Sequence, residues 1–364
     1  MQSYANTCHL LNHSCGLIGS LQCLKLVLGV SMHGMFRSAD SVRRRLFVAA
    51  PSVFIVCAAL AHADVFPERP VRIVVANPPG GTADLIGRML AKKLGEQWKQ
   101  TAVVDNRAGG AGVIGTDLVA KATPNGYTLL VSAPGPITTG TLLQEKLPYD
   151  PVKDLTPITL LAFTPSVLLV GPTVPSRSVA ELIALAKSKP GKLNYASSGQ
   201  GNPSHLHGAM LAKFAGIDIV HIPYKGGGIA LADLLGGHVE IFFNPIPAML
   251  PLIQANRLRA LAVTSPRRFS GLPDVPTMTE AGFPQIGSTS WYGALAPPKL
   301  PATLLKTLHA EFVGALAAPD LREALVSGGA EVVGNSPLQF AEFLKKETES
   351  ARELLRVSGA KRDF

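Results

Sequence analysis

Short apolar runs alternate with amphipathic stretches along most of this chain, and the two periods predict an α/β protein. Arg72 to Ala76 reads as a strand, and Ala83 to Gln97 as a helix with Leu85, Ile86, Met89, Leu90 and Leu94 on one face. A strand at 102–104, a helix at 113–122 and a strand at 127–132 follow, the last after the turn Pro124-Asn125-Gly126. Val167 to Val170 is expected to be a strand. Val179 to Ser188 is expected to be a helix that starts on Ser178, has Glu181 at the capping-box spacing and stops at Pro190-Gly191. Further strands are predicted at 193–196, 219–222, 240–243 and 260–264, with helices at 204–215 and 230–235 between them. Helices at 303–317, 320–327 and 337–358 close the chain, and residues 266–302, rich in Pro and Gly, show little regular pattern.

The polar breaks in this pattern carry the chemistry. Asn77-Pro78-Pro79-Gly80-Gly81-Thr82-Ala83-Asp84 lies between a strand and a helix, and so does Ser197-Ser198-Gly199-Gln200-Gly201-Asn202-Pro203-Ser204-His205. Backbone N–H groups and hydroxyls at the positive end of a helix suit a carboxylate or another small anion. Two such loops more than a hundred residues apart suggest one anion held from two sides. Thr82 and Asp84 also suit a simple helix start. His205 and His207, two apart, point to different faces of a helix, and no third ligand stands at a zinc spacing, so His205 is expected to donate a hydrogen bond or cap a helix.

Tyr224-Lys225-Gly226-Gly227-Gly228 precedes another helix, where Lys225 is either a counter-charge or a surface residue. Trp291-Tyr292 is read as pocket wall or core. Gly110-Ala111-Gly112-Val113-Ile114-Gly115 has the G-x-G-x-x-G form of a dinucleotide loop. However, Asp105-Asn106-Arg107 separates it from its strand, and no acidic residue follows at the ribose-reading position. An NAD-type oxidoreductase is therefore the alternative reading, and a hydrolase built on the Ser197 loop a weaker third, since no base-plus-orienter set is identifiable.

Composition sharpens the compartment. Arg43-Arg44-Arg45, the apolar run 46–60 and Ala61-His62-Ala63 form an export signal with a cleavage site, and Arg44-Arg45-Leu46-Phe47-Val48 resembles a twin-arginine signal. Residues 1–63 are thus expected to be removed near Ala63, with 1–34 an upstream extension and Met35 the start. All four cysteines lie within that segment, so no disulfide, thiolate metal site or cysteine nucleophile is expected in 64–364. The net charge of +9 falls to +5 over 64–364, because five Lys/Arg and one Asp precede Asp64. That mild excess suits small anions, and without a basic stripe no nucleic-acid partner is expected.

At these motifs the chain resembles the substrate-binding proteins of tripartite tricarboxylate transporters, the Bug family. The resemblance covers essentially all of residues 64–360 and is carried by Pro70-Val71-Arg72-Ile73-Val74-Val75, Pro79 to Ile86, Val103 to Gly109, Pro124 to Leu130, Leu147 to Pro151, Pro190 to Ser197, His221 to Gly226, Leu258 to Thr264, Pro273 to Thr277 and Trp291-Tyr292-Gly293. It implies a two-lobed periplasmic-binding-protein type II-like fold, a Venus flytrap in which each lobe is a central sheet flanked by helices. Lobe one is expected at 64–165 plus 287–364 and lobe two at 166–286, with two crossings. The resemblance implies a monomeric periplasmic receptor, without catalysis, cofactor or metal, that hands a small carboxylate to membrane transporter subunits or a sensor. It assigns ligand binding to Asn77, Gly80, Gly81, Thr82, Asp84, Ser132 and Thr138 of lobe one, and to Ser197, Gly199, Gly201, Asn202, Ser204, His205, Tyr224 and Asn244 of lobe two.

Three departures stand out. Ala76-Asn77 replaces the usual Pro-Phe, Asn244-Pro245 replaces the usual Asp-Asn, and Ala351 replaces a tryptophan in the last helix. Pro245 removes a backbone donor and Asn244 removes a charge able to hold an amine. The expected ligand therefore lacks a cationic amine: a di- or tricarboxylate, or an aromatic acid.

Overall fold

The computed structural model describes residues 66–142 and 146–359. The predicted export signal, Met35 and the four cysteines lie outside the described residues. Strand β1 (Val71–Val75) leads into helix α1 (Thr82–Trp98), strand β2 (Ala102–Asn106), helix α2 (Val113–Ala120), strand β3 (Thr128–Ser132) and a single helical turn, α3 (Pro134–Ile137). The long strand β4 (Thr156–Val170) follows, then α4 (Val179–Ser188), β5 (Leu193–Ser197), α5 (Pro203–Ala215), β6 (Ile219–Pro223), α6 (Gly227–Gly236), β7 (Ile241–Pro245), α7 (Ile246–Gln254) and β8 (Arg259–Val263). Strand β9 (Thr289–Ala296), α8 (Ala302–Ala317), α9 (Pro319–Ser327), β10 (Glu331–Val332) and α10 (Pro337–Ser358) complete the order.

The strands run β2-β1-β3-β9-β4-β7-β5-β6 across one curled sheet, with β8 and β10 also paired to β4. Strand β4 joins its two parts. Thr156 to Pro165 pairs antiparallel with β9, and Ser166 to Val170 pairs antiparallel with β7. On one side β1 is parallel to β2 and β3, and on the other β5 is parallel to β6 and β7. Both parallel sets close through strand–helix units, so their strand ends and helix starts face the same crevice, the place where open α/β sheets bind ligands. Apolar clusters fill both faces of each part. Ile73, Ile86, Leu90 and Phe312 belong to one cluster, Leu130, Trp291 and Phe340 to a second, and Leu168, Tyr195 and Phe243 to a third. Val167, Phe242 and Leu234 fall in the fourth.

Thr264 ties the chain together where it crosses between the two parts. Its hydroxyl accepts from the Ser166 amide at 2.8 Å and donates to the Ser288 carbonyl at 2.7 Å. His207 joins the same place, with Nε2 2.5 Å from the Ser288 hydroxyl and its ring packed on Phe243. Burial pushes the His207 imidazole down to about 4, so it is neutral at physiological pH.

The short elements α3 and β10 were not expected from the sequence, and three larger elements also differ from the expectations. Strand β4 starts at Thr156 rather than Val167, since Pro157 and Pro165 break the apolar run in the sequence. Pro157 falls beside a register shift, where a missing N–H is tolerated. Helix α7 was not expected, because Pro247 and Pro251 interrupt Ile246 to Gln254. Strand β9, inside the segment expected to be irregular, is buried from Ser290 to Ala296.

Candidate functional site

The residues of the first loop are set by Asp84. Its carboxylate accepts from the Gly80 amide at 3.0 Å, from Arg88 Nε at 3.0 Å and from Asn106 Nδ2 at 2.9 Å. Burial pushes this carboxyl up, but Arg88, Gly80 and Asn106 outweigh it and hold the group below the usual carboxylate range. Asn106 Nδ2 also donates to the Asn77 carbonyl at 3.0 Å. Gly80 adopts φ +82°, which favours glycine. Asp84 and Gly80 therefore fix the shape of the loop from behind, and Asn77, Gly81 and Thr82 face the crevice.

The second loop is held in the same way. Ser204 Oγ accepts from the Ser198 amide at 2.9 Å, and Asn202 Nδ2 donates to the Ser198 carbonyl at 3.3 Å. Behind them, Ser197 Oγ accepts from the Gly199 amide and lies 2.7 Å from His221 Nε2. The Gly201 amide donates to His205 Nδ1 at 3.1 Å, and the His205 and His221 rings stack at 4.0 Å. His205 Nδ1 thus accepts a hydrogen bond from the loop backbone. Asn202, Ser198 and Ser204 reach the crevice, while Ser197, Gly199, Gly201 and His205 support them from outside its lining.

Together these loops enclose a cavity of about 50 Å³. Asn244, 3 % exposed, and Gly227 line its far side. Ser290 and Tyr292 form another wall, and Ala133-Pro134 a further one. Burial pushes the Tyr292 phenol up to about 12, against the neighbouring hydroxyls of Thr82, Thr164 and Ser290, so it remains a neutral donor. The buried Thr82 hydroxyl is near Tyr292 but outside hydrogen-bonding geometry with any described protein group. It is a polar atom left for a ligand or water.

Besides the single turn α3 at Ala133-Pro134, four longer helices begin at this cavity: α1 at Gly81-Thr82, α5 at Asn202-Pro203, α6 at Gly227 and α7 after Pro245. None of the four has a side chain capping its first turn. Their positive ends converge on one small volume. No Lys, Arg, His, Asp or Glu is among its lining residues.

Ser132, Thr138 and Tyr224 stand apart from the lining. Ser132 is fully buried at the end of β3, and Thr138 donates its hydroxyl to the Pro134 carbonyl at 3.1 Å. The Tyr224 hydroxyl donates to Asp233 at 2.6 Å, and burial together with Asp233 pushes this phenol far up. Lys225 is exposed and outside the cavity. Sequence reasoning did not single out Ser198, Gly227 or Ser290, and it left Trp291-Tyr292 between pocket wall and core. Strand alternation separates Trp291, packed on Phe340 and Phe343, from Tyr292 on the cavity side. The Gly110–Gly115 motif has a packing explanation. A Cβ on Gly112 would meet the Ala76 carbonyl at 3.0 Å, and one on Gly115 would meet the Arg107 carbonyl at 2.7 Å. These glycines let α2 approach the end of β1. Among the described residues no group of acidic, His or Cys side chains forms a metal site.

The profile described as the tripartite tricarboxylate transporter family receptor matches residues 86–359. The chain belongs to that family. Its members are periplasmic solute-binding proteins rather than enzymes, and the two-lobed fold is theirs. BugT of Bordetella pertussis is 37 % identical over 318 residues, covering 86 % of this chain and 98 % of BugT. The structure of Rpa4515 of R. palustris with adipate is 34 % identical, with a TM-score of 0.78 over 81 % of this chain and 98 % of that one. MatC of Rhodopseudomonas palustris with bound malate is 30 % identical, with a TM-score of 0.75 over 80 % of this chain and 100 % of that one. No helix among the described residues is long and apolar enough to cross a membrane.

Proposed function

We propose that this receptor captures a short di- or tricarboxylate without an amino group, in the periplasm, and delivers it to the membrane subunits of a tripartite tricarboxylate-type transporter. The observation that carries this reading is the convergence of four helix N-termini, without side-chain caps, on a cavity lined only by neutral groups. Each N-terminus favours an anion by about 0.3–1 kcal/mol when exposed, and by more when partly buried. Amides and hydroxyls already oriented by Asp84, Ser204 and Asn202 then meet the carboxylate without rearrangement.

The absence of a carboxylate in the lining bears on the other end of the ligand. An ammonium group would enter without a counter-charge and lose its hydration. A hydroxyl or methylene would not. The small cavity favours four- to six-carbon acids, and the acids bound by MatC and Rpa4515 are of that kind. We place lobe one at 64–165 plus 287–364 and lobe two at 166–286. The pairing of β4, which changes partners after Pro165, supports that division. Asn77, Gly81, Thr82, Asn202, Ser204 and Asn244 are assigned to contact the ligand. Gly80, Asp84, Ser197, Gly199, Gly201 and His205 are assigned to shape the loops that do. The export signal would be cleaved near Ala63, and the protein would act as a monomer.

The test is a thermal-shift panel of malate, succinate, citrate, adipate, benzoate, aspartate and NAD. A ligand at a hundred times its dissociation constant adds about 2.7 kcal/mol. A shift with a carboxylate, larger for malate than for aspartate, is the expected result. A preference for aspartate over malate removes the assignment of the amine-free ligand, and a shift with NAD alone removes the receptor reading.

A further inference from the structure

The loops on the two sides of the cavity meet through glycines. A Cβ on Gly228, in the first turn of α6, would be driven into the carbonyl oxygen of Pro79 in the loop after β1. A Cβ on Gly135, in α3 beyond β3, would be driven into the Asn202 side-chain amide at the start of α5. Gly199 adds a looser contact, with its Cβ position 3.0 Å from Ala111 Cβ. These pairs join residues of the β1–β3 region to residues of the β5–β7 region and lie beside the cavity.

Two features separate Gly228 and Gly135 from glycines kept for backbone reasons. Neither has a positive φ, whereas Gly80, Gly199, Gly201 and Gly226 do. Alanine at 228 or 135 is therefore unstrained in its own backbone, and at 228 it improves the helix. The obstacle to a side chain lies across the crevice. At Gly228 that obstacle is a backbone carbonyl, which cannot swing aside as a side chain does. The same obstacle vanishes if the two sides part by an ångström or two.

We propose that Gly228 determines closure of this cleft: its missing side chain allows the two sides to meet backbone to backbone, and a single methyl there holds the cleft open. This rests on the receptor reading above, in which closure over the ligand creates the site. It assigns part of the affinity of the closed state to a residue that touches no ligand. Such a methyl removes closed-state contacts while leaving each part of the fold intact. Affinity then falls because the first-turn amides of α1 and α5 can no longer engage one ligand together.

The experiment measures closure directly. Spin labels are placed at Lys92→Cys and Lys187→Cys, both exposed and on opposite sides of the crevice. The four native cysteines are replaced by serine, and distances are recorded by pulsed electron resonance with no addition and with malate, adipate and citrate. The wild-type protein is expected to show a short-distance population. G228A is expected to lose at least nine-tenths of it, with an unliganded melting temperature equal to or above that of the wild type. Equal distance distributions in wild type and G228A overturn the proposal. So does a wild-type protein with no short-distance population in any condition, because the closed contact is then not reached. If the wild type closes without responding to any acid and G228A abolishes that closure, the glycine assignment stands and the carboxylate reading falls.

Discussion

Two of the outer helices begin differently from the helices that start at the cavity. Ser178 caps α4 by accepting from the Glu181 amide, and Ser336 caps α10 in a complete capping box with Gln339. Each such cap contributes about 1 kcal/mol. Helices α1, α5, α6 and α7 have no side-chain cap. The outer helices α8 and α9 also lack one, and there Pro301 and Pro319 set the entry instead. A missing cap is therefore not a site by itself. What distinguishes the cavity is that four uncapped starts share one small volume, with neutral hydroxyls and amides between them. The fold forgoes local stabilisation there and leaves the donors for a ligand.

The comparison can be broken by giving a cavity helix the cap of an outer one. Asn202→Asp exchanges the Nδ2 donor, which makes only a long 3.3 Å bond to the Ser198 carbonyl, for a negative charge at the N-cap of α5, where the carboxylate is assigned. Like-charge apposition in a desolvated site costs several kcal/mol. Affinity for the best acid of the panel should fall about a thousandfold, roughly 4 kcal/mol, while the unliganded protein melts at the same or a higher temperature. Calorimetric titration and a melting curve read both effects, and unchanged affinity would sever the helix starts from binding.

A second effect is in α5 itself. His207 has its imidazole depressed to about 4 by burial, while an unfolded imidazole takes its proton near the ordinary value. Stability from this group is complete above about pH 6.5 and is lost as the pH falls towards 4, because only the unfolded state binds the proton. The loss amounts to about 3 kcal/mol. Urea unfolding at pH 7 and pH 4.5 should show it in the wild type, and His207→Phe should flatten the slope. A wild-type slope unchanged by the substitution would contradict the assignment.

Smaller effects separate shaping from contact. Asp84→Asn weakens three hydrogen bonds behind the first loop without entering the cavity, and Arg88 is largely solvent-exposed, so its share is modest. Affinity should fall about tenfold, roughly 1.4 kcal/mol. A loss as large as that of Asn202→Asp would move Asp84 into direct contact. Ser336→Ala, on an outer helix, should cost about 1 kcal/mol of stability and leave affinity unchanged. Denaturant midpoints and titration check both halves of that statement.

Local chemistry decided how much could be read from the sequence. Helix α4 was legible from Ser178 and Glu181, and α10 from its length and periodicity. The parallel β1-α1 and β5-α5 units were legible because an apolar run, a glycine-rich loop and an amphipathic stretch follow one another. Strand β9 was not, since its flanks carry the Pro and Gly of a loop and its burial comes from both β3 and β4, distant in sequence. Helix α7 was hidden by Pro247 and Pro251. In the site, Asn77, Thr82, Asn202 and Asn244 stood out as polar residues at strand ends. Whether Asp84 or His205 faces a ligand or a neighbouring amide depends on side-chain direction, which loop composition does not encode. Tyr292 and Ser290 enter the cavity only through the pairing of β9.

The most direct test of the central claim is a crystal structure with the acid that gives the largest thermal shift. The account predicts one carboxylate within hydrogen-bonding distance of first-turn amides of both α1 and α5, with the Thr82 hydroxyl taken up by the ligand and no charged side chain in contact. A carboxylate paired instead with Lys225 or another cationic side chain would contradict it.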